Sequence, residues 1–184
     1  MLKFLAPAAA AVALVAAGGA AATFFAAGAA GAQAAKLNDA QIAHIAYTAG
    51  NIDIAAAKQA IAKSKDKAVL DFAHEMERDH TAVNDKALAL VKKLNVTPQD
   101  NPTSQALSKD AKAKLDSYAK LSGKAFDKAY VDNEVAYHKT VNGALETQLI
   151  PGAQNAELKG LLQTGLKLFK EHQMHAEHLA ATLK

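Results

Sequence analysis

Between residues 67 and 95 the apolar side chains recur at steps of three and four: Val69, Phe72, Met76, Val83, Ala87, Leu90 and Leu94. That period describes one face of an α-helix and does not suit a strand, whose faces alternate every second residue. His80 holds a place in the same seam, so a helix built on this stretch carries an ionisable ring into its packed face. The pattern returns near the end of the chain. There Leu158, Leu162, Gly165, Phe169, His172, Ala176, Leu179 and Leu183 form a second seam, again with one histidine in it. Two such segments commit the chain to helices packed on helices.

The remaining stretches agree. A first helical segment runs from Asn38 or Asp39 to about Ser64, with Ile42, Ile45, Ala46, Ala49, Ile52, Ala56 and Ala60 in its main stripe and Asp53 among them. Tyr47, Ile54 and Ile61 lie on another flank, so this helix is covered on two sides. Lys63 to Lys67 is a polar break in which Ser64 or Asp66 can cap the second segment, which ends near Asn95. Val96 to Pro102 is the clearest loop, with two prolines and several turn formers. A shorter amphipathic piece follows from about Ser104 to Leu121. The third long segment spans about Lys124 to Leu149 and is stopped by Ile150-Pro-Gly152; the fourth runs from Asn155 to Leu183. On the third, Phe126, Tyr130, Tyr137, Val141 and Leu145 form an apolar arc with Glu134 near its centre and His138 toward its edge. Much of the 51% hydrophobic content is alanine and only 5% is aromatic, which favours helix over strand. The expected fold is all-α, one domain over residues 38–183.

Connection lengths then select a topology. The first and second segments, and the third and fourth, are tightly joined and form antiparallel hairpins. The second and third are separated by nearly thirty residues carrying a short helix, long enough to climb the molecule at ~1.5 Å per helical residue. This is a ferritin-like four-helix bundle with one long crossover. An all-antiparallel bundle with a capping helix is the alternative.

The N-terminus reads as an export signal. Lys3 is followed by an uncharged Ala/Gly/Val/Phe run to Ala32, and small residues place cleavage near residue 32 or 34. A retained anchor is the rival, since the run exceeds the ~20 residues that span a bilayer, but Pro7 and glycines 18, 19, 28 and 31 suit it poorly. With cleavage, residues 1–32 form the signal and no integral membrane segment follows; the chain is then expected to be periplasmic or exported, either free or peripherally attached to the outer membrane. The sequence contains no cysteine, so the bundle holds by packing without disulfides. Lysines alternate with acids along the helices, and Arg78 is the single arginine. That is a solvated surface rather than a nucleic-acid stripe, which would cluster arginine with stacking aromatics.

Under the crossover topology His80 and His138 sit at one level, counted from the starts of their helices, and Asp53 and Glu77 reach the same level. Asp53, Glu77, His80, Glu134 and His138 are therefore candidate metal ligands. The set is similar to the interior site of ferritin-like di-metal proteins, and Glu77-Arg-Asp-His80 has their Glu-x-x-His spacing. Two departures weigh against a complete di-iron centre. The first segment offers Asp53 where glutamate is expected, and the fourth has His172 and His175 but no Glu-x-x-His. Counting back from Pro151, His172 should lie opposite about Val131, some two turns from His138; it is a candidate at a different height. The functional expectation is a binding or stress-related envelope protein, with a looser His/carboxylate site for zinc, copper or iron as one use of these residues. For the buried residues themselves the stronger reading is a metal-free hydrogen-bond network of His, Asp and Tyr, with His80 paired to Asp79, Tyr130 or Tyr137, in a structural or interaction module of the envelope. No nucleophile elbow, phosphate loop or metalloprotease helix appears, which points away from an enzyme.

The string Ala73-His-Glu-Met-Glu-Arg-Asp-His-Thr81, then Gly123-Lys-Ala-Phe-Asp-Lys-Ala-Tyr-Val131, with His138 and His172 downstream, resembles a bacterial domain-of-unknown-function family. Its members are exported, often labelled "predicted outer membrane protein", and grouped with ferritin-like bundles. Met76, Asp79, His80, Asp127, Tyr130, His138 and His172 match its recurrent positions, and Asp53 stands where it usually has glutamate. The resemblance covers about residues 38–183 and implies the fold and export. It brings no settled activity. The outer-membrane label fits poorly with a mature chain that shows no barrel-like alternation.

Overall fold

Capping chemistry fixes where the helices begin. In the computed structural model, which describes residues 36–183, Asn38 accepts from the Gln41 amide at 2.9 Å while the Gln41 side chain accepts from the Asn38 amide at 3.1 Å. This reciprocal pair opens α1 (Asp39–Lys63). Asp66 accepts from Ala68 and Val69 to open α2 (Lys67–Lys93). Asn101 and Ser104 repeat the reciprocal cap at α3 (Pro102–Ala119), whose first residue is a proline that has no amide to leave unpaired. α4 (Gly123–Ala144) starts at Ser122, and Asn155 caps α6 (Ala156–Thr182). No strand occurs among the described residues, so the chain is all-α there. The export segment proposed for residues 1–32 lies outside them.

The end of α4 departs from expectation. Ile150-Pro-Gly152 does not stop it: a π turn (Leu145–Leu149) leads into a last helical turn, α5 (Ile150–Gly152). The Ile150 amide reaches back five residues to the Leu145 carbonyl. Pro151 has no N–H, and in an α turn its ring would press on the carbonyl four residues back; the wider π turn relieves that contact. The chain breaks at Ala153, whose ψ is 128°, and the Asp39 carboxylate then receives the Gln154 and Asn155 amides at 2.8 and 2.9 Å.

Long-range contacts give the helix directions. Lys63 Nζ donates to the Ala119 carbonyl at 2.8 Å and lies over the Phe126 ring, so the ends of α1 and α3 and the start of α4 share one end of the molecule. At the opposite end the Gln99 amide donates to Ala40 O at 3.0 Å. α3 therefore climbs beside α1, and α4 starts where α2 starts and runs parallel to it. Lys93 pairs with Glu157 at 2.5 Å, which brings the end of α2 to the start of α6. The result is a helical bundle in which α1 packs on α2, α4 on α6, and α2 on α6.

Its core has two unlike halves. Around the α1–α2 turn, Phe72, Met76, Tyr118, Phe126, Tyr130 and Val131 are buried together. The opposite half is aliphatic: Ile42, Ile45, Leu145, Leu149, Leu158 and Leu162, with Phe169 its one fully packed aromatic. Between the two lies a polar layer at mid-height.

Candidate metal centre

Each of the four long helices sends a side chain into that layer. Asp53 comes from the middle of α1, His80 from the middle of α2, Glu134 and His138 from α4, and His172 from α6; all five are 1–3% exposed. Asp53 Oδ2 lies 3.3 Å from His80 Nε2 and 3.5 Å from His138 Nε2. His80, His138 and His172 can each bring a ring nitrogen within 4.8 Å of the other two, and Asp53, Glu134 and His138 form a second such group sharing His138. The three rings are 5.3 to 5.6 Å apart at their centroids.

Hydrogen bonds set the ring tautomers. His138 Nδ1 is 3.0 Å from the Glu134 carbonyl, which can only accept, so Nδ1 carries the proton and Nε2 presents a lone pair toward Asp53. His172 Nε2 faces Asp79 Oδ2 at 3.2 Å, which leaves the buried Nδ1 as its lone-pair atom. Asp79 is gripped in turn by Arg78 through two contacts of 2.7 and 3.0 Å. A carboxylate behind a histidine is the arrangement that orients metal-ligating imidazoles. His80 stacks on Phe169, with ring centroids 4.5 Å apart, which fixes its plane.

What these groups lack matters more. Both oxygens of Asp53, both nitrogens of His80, His138 Nε2, His172 Nδ1 and Glu134 Oε2 are buried without a hydrogen-bond partner. The Asp53–histidine contacts are short, but their angles do not make hydrogen bonds. Such a concentration of unsatisfied buried polar atoms is costly, at ~1–3 kcal/mol each.

Burial also shifts their protonation. It pushes the Asp53 carboxyl up to about 8 and, with the Asp53 charge nearby, raises Glu134 well above the usual carboxylate range. His138 is brought down to about 4 by burial and by His172; His80 falls well below its ordinary value by burial and by its two histidine neighbours. Burial lowers His172 too, against the pull of the Asp79 hydrogen bond. Asp79 itself is held low, chiefly by Arg78. Neutral imidazoles with free lone pairs are the form that takes up a metal cation.

A family model described as "Domain of unknown function (DUF4142)" matches residues 25–179. The chain belongs to that family. No curated protein and no solved structure matches it. Every member of the polar layer falls inside the matched part of this DUF4142 chain.

Of the residues singled out from the sequence, Asp53, His80, Glu134 and His138 are brought together at one level. His172 joins them, contrary to the two-turn offset expected for it. The offset assumed a turn at Pro151, whereas the helix runs on to Gly152 and the next begins at Ala156; the midpoint between residues 138 and 172 is Asn155, the cap of α6. Glu77 does not join. It is partly exposed and points to Lys58, 3.8 Å away on α1. Asp79 serves His172 and not His80, because neighbouring residues on a helix diverge by ~100° and cannot serve one face. Sequence periodicity gave no sign of the Phe169 stack on His80, since a seam phenylalanine reads as ordinary core.

Proposed function

We propose that this DUF4142 domain is an exported, ferritin-like helical bundle that binds one divalent transition-metal ion in its interior through Asp53, His80, His138 and His172. The observation that carries the reading is the set of buried, unpartnered donor atoms converging from four helices. Bonds of ~2.0–2.1 Å arranged tetrahedrally put neighbouring donors ~3.3 Å apart. Asp53 Oδ2 stands 3.3 and 3.5 Å from its two histidine nitrogens, close to that spacing. Three imidazoles and a carboxylate suit zinc, copper or iron and disfavour calcium or magnesium, which take oxygen ligands. Glu134, on the far side of His138, is placed to adjust the charge of the site. The ferritin-like assignment rests on the parallel run of α2 and α4 and the crossover through α3; the export assignment rests on Lys3 and the uncharged run to Ala32. The second reading is a metal-free network, supported by the 3.3 Å approach of His80 Nε2 to Asp53 Oδ2.

The test is titration of chelator-stripped protein with zinc, copper and ferrous ions, alongside His80→Ala, His138→Ala and the exposed-site control His74→Ala. One equivalent should bind the parent and His74→Ala. Affinity should fall at least about tenfold in the two buried-site variants, as for loss of one ligand or its support. Equal affinities in all four proteins would sink the proposal.

A further inference from the structure

A cavity of about 60 Å³ adjoins the polar layer on its aliphatic side. Asp53, His80 and His138 close one end, and Val83, Val141, Leu162 and Phe169 form its walls. The cause lies in residue sizes. Four of the large buried aromatics, Phe72, Tyr118, Phe126 and Tyr130, fill the other half of the core. Here Ala46 and Ala49 of α1 look across at Ala87 of α2 and Ala144 of α4, so small side chains meet small side chains and leave space.

We propose that this cavity seats a small uncharged molecule of two or three heavy atoms against the face of the cluster formed by His80, His138 and Asp53. Size sets the upper limit: an apolar cavity of ~150 Å³ accommodates benzene, and this one is well under half of that. Wall chemistry sets the polarity. An ordered water needs two to four polar partners, and polar groups gather at the cluster end while the walls beyond are aliphatic. A charged ligand would lose its hydration with little along the walls to replace it, since their polar groups are already engaged, Asn84 with Asn51 and Tyr137 with the Ala49 carbonyl. Val83, Ala87 and Ala46 are only half-buried, so the route in lies along the α1–α2 side, away from the charged face around Asp79 and Arg78. The inference deepens the metal-site reading and rests on it for what such a molecule would meet at the closed end.

Xenon, an uncharged probe of the right size, tests the cavity without any metal. The stripped full chain is equilibrated under xenon pressure and methyl resonances are followed. Val83, Val141, Leu145 and Leu162 should shift and saturate together, while Val69 and Val131, in the aromatic half, should not move. Ala87→Leu and, independently, Ala46→Leu should abolish the shifts by filling the space from half-buried positions that tolerate a larger side chain. Shifts of the same size in both halves, or shifts that persist in both folded leucine variants, would overturn the proposal, as would a crystal structure with ordered water filling the cavity. Zinc titration of the same samples separates the two readings. Xenon uptake without metal binding removes the metal centre and leaves the pocket; metal binding without xenon uptake does the reverse.

Discussion

Asp53 is the residue on which the polar layer turns, because among the described residues its carboxylate is the one group within ion-pair reach of two buried histidines. In the fold its pKa is about 8 against 3.8 in the open chain. Between those values the folded protein holds a proton that the unfolded chain releases, so stability falls as pH rises through the window. The histidines act in the opposite sense. His138, at about 4 in the fold against 6.5 unfolded, makes the unfolded chain the better proton binder below pH 6.5, so its contribution is lost as pH drops. Above pH 6.5 the histidines no longer contribute and the carboxylates act alone. Metal-free protein should therefore lose stability between pH 6.5 and 8, with about 2 kcal/mol of the loss due to Asp53. Urea unfolding across that range checks it. Asp53→Asn, which mimics the protonated acid, should flatten the curve by that amount; a parent curve already flat from pH 6.5 to 8 would contradict the assignment. Asp79 carries a second prediction at this scale. Asp79→Asn keeps an acceptor for His172 but removes the charge that polarises the ring, and zinc affinity should weaken about tenfold or more. An unchanged dissociation constant would make Asp79 a partner of Arg78 alone.

Helix pairing depends on a different kind of contact. Gly50 on α1 sits against Asn84 on α2: a Cβ built there would meet Asn84 Oδ1 at 2.3 Å. Asn84 cannot move away freely, since its amide donates to Asn51 Oδ1 at 3.0 Å and lies 3.4 Å from the Tyr47 carbonyl. Gly50→Ala should therefore cost about 1 kcal/mol net, the lost hydrogen bonding outweighing a gain in helix propensity. Combined with Asn84→Ala the sign should reverse, Gly50→Ala now stabilising by about 1 kcal/mol. A thermal or urea double-mutant cycle reads this directly, and additive effects would rule out the close approach. The elements themselves were legible from the chain because caps and apolar periods are local: Asn38 and Asp66 cap, each one of the two residues the sequence offers at its break, and the last helix opens at Asn155. Level counting brought Asp53, His80 and His138 together because α1 and α2 meet in a three-residue turn and α2 and α4 start at one end. It misplaced His172 because the π turn at Leu145–Leu149 lets Pro151 stay inside the helix, and nothing in composition signals a five-residue turn. Glu77 misled for a related reason. Its spacing to His80 is right, but at the edge of the α2 arc the side chain finds Lys58 before it finds the interior.

For the molecule as a whole, the position of the layer decides what a bound ion would do. Asp53, His80, His138 and His172 lie near the middles of α1, α2, α4 and α6, so an ion held by all four joins the two hairpins across the plane where the core is most polar. The unfolded chain has no such site, and ligation therefore adds to folding stability. At a free zinc concentration a hundredfold above the dissociation constant the gain is ~2.7 kcal/mol. For a domain of this length that corresponds to a rise in Tm of roughly 5–11 °C. A site confined to the outer group of Glu75, Asp79 and His172 would also raise Tm, so the spatial pattern distinguishes the two. Hydrogen exchange should show protection increasing together around Asp53, His80, His138 and His172 on all four helices when zinc is added, because the opening that exposes the layer has to separate both hairpins. Protection gained only along α2 and α6, with α1 and α4 unchanged, would place the ion at the surface and leave the interior donors unpaired.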